Sequence, residues 1–278
     1  MRTMLKIEWR RALTSRGMMA ALGIGTVLAL SQIVTMVLPM LQYLDDYKIY
    51  TYKSSLIPHA VFCKWIGGEC VSLQNYLYFL LLPILAALPF AGSYFTDRKS
   101  GYLKNIYLRT RKSRYLTAKF SAVFLSGGMA VVLPLLLNLG LTAVLLPSLL
   151  PRTVSGFYAI DAISMWAGLF YTHPYVYIAL YMAVIFAYAG LLASVALVVS
   201  FFVENRFVVM LAPFLLYLFV HTVLTVFNGN QYCPMEIVNP VQPIYPNTNT
   251  AIVLAELAGL ALITGGVFFG KGRRDDTF

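Results

Sequence analysis

The chain has 278 residues, 59% of them hydrophobic and 12% charged, with a mean hydropathy of +0.73. That apolar content exceeds a typical soluble domain and points to a membrane protein. The net charge of +10 does not point to nucleic acid, because the basic residues flank apolar runs and form no soluble basic face.

Residues 1–16 carry Arg2, Lys6, Arg10, Arg11 and Arg16, with Met4, Leu5, Trp9 and Leu13 at helical spacing. This pattern predicts an interfacial helix. The apolar run that follows, 17–41, is about 25 residues, well beyond the roughly 7 to 15 of a signal-peptide core, so the first span is expected to stay attached.

With about 20 apolar residues needed per crossing, six spans are predicted: 17–41, 73–95, 120–146, 175–203, 207–227 and 251–270. The expected fold class is all-α, a single polytopic transmembrane domain over 1–278. Both ends and the 96–119 loop then share one side, which collects 17 of the 21 Lys and Arg residues. The other side keeps Lys48, Lys53, Lys64 and Arg152. Such a skew predicts cytoplasmic termini.

Between the second and third spans, residues 95–119 hold eight of the Lys and Arg residues. Tyr102, Leu103, Ile106 and Tyr107 recur at helical spacing after Gly101, while Lys104, Arg109 and Arg111 stand off that stripe. A short amphipathic helix lying along the inner membrane surface is expected. Basic residues in such a loop also serve simply to fix topology.

The order of an acid (Asp97), a glycine (Gly101), an apolar turn, a basic cluster (Arg109, Arg111, Arg114) and Lys119 resembles the corresponding loop of ABC-2 type transporter permeases. The resemblance covers the layout of the whole chain through loose motifs. Asp97 stands where the family more often has Glu, and Arg109 to Lys112 replace a region that often contains Pro. The resemblance implies a bacterial plasma-membrane exporter working as a dimer, with a second identical or paralogous permease. It also implies that 96–119 is a coupling loop docking on two copies of a separate ATPase, which would bind ATP and Mg. On this reading Tyr102 to Tyr107 contact the ATPase, Asp97 and Lys119 anchor the helix, and Arg10 and Arg11 add a secondary contact.

The outer segments differ in character. Residues 44–72 contain Asp45, Asp46, five aromatics, Cys63 and Cys70. Cys63 and Cys70 are spaced either to close a small ring or to remain thiols, with Cys233 left over. Residues 147–174 suggest a partly buried outer helix with Phe157, Tyr158, Ile160, Ile163 and Trp166. Four prolines (Pro234, Pro240, Pro243, Pro246) forbid a continuous helix between 228 and 249. Asn239-Pro240 looks like an asparagine–proline step often seen near the exit in the resembled family.

Few polar groups fall inside the spans. At about 1.5 Å per residue, Gln32, His221 and Glu256 each lie roughly 21 to 22 Å from the inner end of their spans. The shared level predicts one polar chamber or outer gate, with an interhelical hydrogen bond as the plainer role for Gln32 or His221. The apolar inner halves suit an amphipathic or lipid-like cargo, for which the resemblance favours an exported peptide of toxin or bacteriocin type, with a small drug or a lipid as alternatives.

No chemistry of its own is legible. Residues 265–272 imitate a phosphate-binding loop but end in Gly272, with no hydroxyl for magnesium. His59, His173 and His221 lack metal-ligand spacing, and neither C-x-x-C nor G-x-S-x-G occurs. No metal or cofactor is therefore expected in this chain. A membrane enzyme or a proton-coupled secondary transporter would have to rely on His221 and Glu256.

Overall fold

Apolar runs become helices, and glycine, proline and capping residues divide them. The computed structural model describes residues 2–42, 60–69, 71–151, 160, 164–241 and 248–274. Among these every regular element is helical. Cys70, and with it the pairing to Cys63, lies outside the described residues, as do most of the outer segments 43–59 and 152–163.

Helix α1 (Arg2–Leu13) is followed by α2 (Arg16–Gln32), whose N-cap Ser15 accepts a hydrogen bond from the Met18 amide at 2.9 Å. A π-helical turn at Ile33–Val37 carries α2 on to Leu41. Next come α3 (Leu73–Ala87), α4 (Ser93–Lys99), α5 (Tyr102–Arg109) and the 34-residue α6 (Lys112–Leu145). Helices α7 (Pro174–Val199), α8 (Arg206–Val226) and α9 (Thr250–Arg274) complete the bundle. Short helices at Ala167–Thr172 and Pro234–Val238 connect them, the latter with proline at its start.

Among the described residues five helices are long and apolar enough to cross a membrane: α2 with its continuation, α6, α7, α8 and α9. The second predicted crossing, 73–95, is not one helix. Pro89 has no amide hydrogen to continue the ladder, and residues 88–92 form a turn between α3 and α4. The Pro89 carbonyl instead accepts from the Ser15 hydroxyl at 2.7 Å. At Gly17 the approach is so close that a Cβ would stand 2.0 Å from the Leu88 carbonyl oxygen.

Helices α6 and α7 form the centre. Small residues let them touch: a Cβ on Gly190 would meet the Phe124 carbonyl at 2.6 Å, and one on Gly127 would meet the Ala193 Cβ at 2.7 Å. Close backbone approach of this kind drives helix packing where water supplies no hydrophobic force. Helix α1 packs on α6, yet its buried face is Met4, Glu8 and Ala12, while Leu5 is exposed. That face is rotated from the expected Met4, Leu5, Trp9 and Leu13, because Glu8 finds cationic partners inside.

One end of the bundle gathers the basic segments. Arg98 donates to the Ser200 carbonyl at 3.4 Å, Lys112 to the Arg273 carbonyl at 3.0 Å, and the Lys271 ammonium lies 3.5 Å from the centre of the Phe202 ring. The start of α6, the turn before α8 and the end of α9 therefore meet near α4.

Candidate functional site

At that end, four charged side chains from three segments form a closed, neutral cluster. Arg11 of α1 donates through Nη2 to Asp97 Oδ1 at 2.8 Å, and through Nη1 to Asp97 Oδ2 at 3.2 Å and Glu8 Oε1 at 2.7 Å. Lys119 of α6 pairs with Asp97 Oδ2 at 2.6 Å and with Glu8 Oε2 at 2.5 Å. Tyr115, one turn before Lys119, donates to Asp97 Oδ2 at 2.7 Å. The Phe90 ring lies under both cations, 4.5 Å from the Lys119 ammonium and 5.7 Å from the Arg11 guanidinium.

Burial makes the neutrality necessary. Lys119 and Glu8 are 0% exposed and Asp97 is 3% exposed, and an isolated buried ion costs several kcal/mol. Two carboxylates against two cations cancel. Burial works to raise the Asp97 carboxyl, but the Arg11 hydrogen bond, the Lys119 charge and the Tyr115 hydroxyl outweigh it and hold it below its ordinary value. Burial likewise opposes the Arg11 charge, and its bonds to Asp97 and Glu8 reverse that effect, raising the guanidinium further.

Helix α5 is mounted directly on this cluster. Gly101 turns the chain from α4 into α5 at φ 72°, a left-handed conformation that favours glycine. Leu103 and Ile106 are buried in the protein's own core. The Tyr102 ring lies 5.0 Å from the Arg11 guanidinium, and Tyr107 meets Tyr115 edge-on at 5.9 Å. The stripe expected to face a partner thus faces the bundle, since apolar and aromatic groups gain most by packing on the adjacent core. Turned outward are Lys104, Asn105, Arg109 and Leu108, the last 78% exposed. Arg111 and Arg10 are also exposed, and Arg10 does not join the cluster.

The outer polar residues Gln32, His221 and Glu256 each have separate hydrogen-bond partners among the described residues. Gln32 is fully buried, with Oε1 accepting from Asn138 at 2.8 Å and Nε2 donating to the Lys64 carbonyl. Asn138 also accepts from the Ile66 amide at 2.8 Å, and Asn75 donates to the Ile66 carbonyl at 2.6 Å. Asn239 completes the network by donating to Asn75 at 3.2 Å. Gln32 is thus a hydrogen-bonded interhelical residue, because its amide is consumed by the short segment that closes over α2 and α6.

His221 Nδ1 lies 3.2 Å from Cys233 Sγ, whereas Glu256 accepts from the Tyr188 hydroxyl at 2.9 Å. Among the described residues no hydrogen bond or ion pair joins Gln32, His221 and Glu256, and no group of His, Cys, Asp and Glu is arranged to hold a metal ion. Sequence reasoning missed Glu8, Tyr115 and Asn75. The signal for Glu8 was available: it is the single acid in α1, at the i−3 position to Arg11. Compared with known proteins, the chain matches no family model, no curated protein and no solved structure.

Proposed function

We propose that this chain is the permease subunit of an ATP-driven exporter, receiving mechanical work through α5 from a separate cytosolic ATPase. The observation that carries the reading is the mounting of α5. It rests on a neutral four-charge cluster that ties α1, α4 and α6 together, and it presents Lys104, Leu108 and Arg109 outward. A force applied to that outer face passes through Tyr102 and Tyr107 into the cluster, and from there into the ends of membrane helices. Rigid polar clusters transmit displacement better than mobile loops do, because buried ion pairs tolerate little change in geometry.

In this reading the membrane is crossed six times and both termini face the cytosol. Helix α3 alone reaches about 22 Å, short of a hydrocarbon core of about 30 Å; the turn at 88–92 and the chain up to residue 95 supply the remainder. Two such chains pair, each with one ATPase, and an amphipathic peptide or other hydrophobic cargo moves outward along the apolar inner halves of the helices. The contact surface differs from the sequence expectation: Leu108, Lys104 and Arg109 meet the ATPase, and Tyr102, Leu103, Ile106 and Tyr107 hold the helix in place.

Site-specific crosslinking in the native membrane tests this. A photoreactive residue at Leu108 is expected to capture a nucleotide-binding subunit, and one at Val144, at the far end of α6, is not. Capture of no such subunit from position 108, together with labelling of Lys104 by impermeant reagent on intact cells, would refute the assignment.

A further inference from the structure

We propose that the cavity between the start of α2, the α3–α4 break and the start of α8 binds the phosphate headgroup of an anionic phospholipid. Its volume is about 360 Å³. One wall is basic: Arg16 and Arg206 are the first residues of α2 and α8. Arg11 also borders the cavity, but its charge is taken up by Glu8 and Asp97. Arg16 and Arg206 make no ion pair among the described residues, and no carboxylate lines the cavity.

A second observation points to a ligand. Ser93 Oγ, in the same lining, is buried without a hydrogen-bond partner among the described residues. Buried hydroxyls ordinarily find partners, and a phosphate oxygen accepts from both hydroxyl and guanidinium. The starts of α2 and α8, capped by Ser15 and Asn205, add the positive ends of two helix dipoles. The missing side chain at Gly92 keeps the space open: a Cβ there would stand 3.6 Å from Arg206 Nε and 3.3 Å from Met210 Cγ.

The lipid source follows from position and from the opposite wall. Arg16 and Arg206 each begin a helix long and apolar enough to cross a membrane, so the cavity lies at the depth of lipid phosphates. Leu88, Phe90 and Met210 form its apolar side, a surface that a glycerol and the start of an acyl chain cover and a free phosphate does not. Anionic lipid is drawn to such arginines by charge. This assignment needs only that the chain sits in a membrane and is independent of the exporter reading.

Native mass spectrometry and thermal unfolding of the full chain, purified in neutral detergent, test it with three additions: phosphatidylglycerol, phosphatidylcholine and inorganic phosphate. Phosphatidylglycerol is expected to be retained and to raise the unfolding midpoint, with phosphatidylcholine and phosphate doing neither. Arg16→Gln and Arg206→Gln should each weaken retention about tenfold, the loss of one charge-assisted contact, while Lys6→Gln, on the exposed face of α1, leaves it unchanged. Gly92→Leu, which fills the cavity and keeps both arginines, should lower retention as well. Equal retention of phosphatidylcholine, the same stabilisation by inorganic phosphate alone, or retention unaltered in Arg16→Gln, Arg206→Gln and Gly92→Leu would overturn the assignment.

Discussion

Replacing Asp97 by asparagine probes the charge cluster most directly. The carboxylate accepts two bonds from Arg11, one from Lys119 and one from Tyr115. An amide turns one acceptor oxygen into a donor, so either Arg11 Nη2 or the Lys119 side of the group faces a donor with a donor. It also leaves two cations against Glu8 alone. Removing one partner of a buried pair costs roughly 3 to 5 kcal/mol, and the lower end applies because the Arg11 side chain is 36% exposed and partly screened by water. Asp97→Asn is therefore expected to lower stability by about 3 kcal/mol, read by equilibrium unfolding in mixed detergent and SDS.

The control is the neutral double variant, Asp97→Asn with Lys119→Met, which leaves Glu8 paired with Arg11. Groups sharing a network couple by about 0.5 to 3 kcal/mol, so the double variant should be more stable than the sum of the two single changes by at least about 1 kcal/mol. If the cluster also transmits work from α5, that partly restored protein still fails to couple nucleotide hydrolysis to export. Strict additivity of the two substitutions, or single effects below about 1 kcal/mol, would refute the argument that these charges form one buried unit.

Gly101→Ala should cost about 1 to 2 kcal/mol although a Cβ there meets nothing within 4 Å, because φ is 72°; a melting series against Gly259→Ala, also in open space, separates strain from crowding. Acid titration should show the sign set by Asp97. Its folded-state pKa is lowered, so the stability it contributes is intact above the ordinary carboxylate value of about 3.9 and is lost as pH falls below it. The Asp97→Asn protein should show a shallower loss over that acid range in parallel thermal scans. Gln32→Leu should cost about 1 to 3 kcal/mol, by leaving Asn138 and the Lys64 carbonyl short of a partner, without changing cargo preference in a transport assay.

The membrane character and helical class are set by local composition. Apolar runs of sufficient length have no other stable state in lipid, and charge in such a chain is costly enough that Asp97 and Lys119 stand out on inspection. Gly101 was equally visible between an acid and an amphipathic turn, but its left-handed φ of 72° shows only in the folded chain. The break at Pro89 was not foreseen: Pro83, Pro134 and Pro213 lie inside continuous helices, and only the folded chain shows the turn at 88–92, where the Ser15 hydroxyl donates to the Pro89 carbonyl. Glu8 escaped notice because a lone acid among basic residues looks solvated until α1 is laid on α6. The same limit applies to α5: periodicity reveals that Leu103 and Ile106 share a face, whereas the surface they cover depends on which neighbour lies closest in space. Gln32, His221 and Glu256 share a level along their helices, yet level is one coordinate of three. Side-chain partners depend on helix rotation and on the short segments that fold back over the bundle, and those are decided by packing across the whole chain.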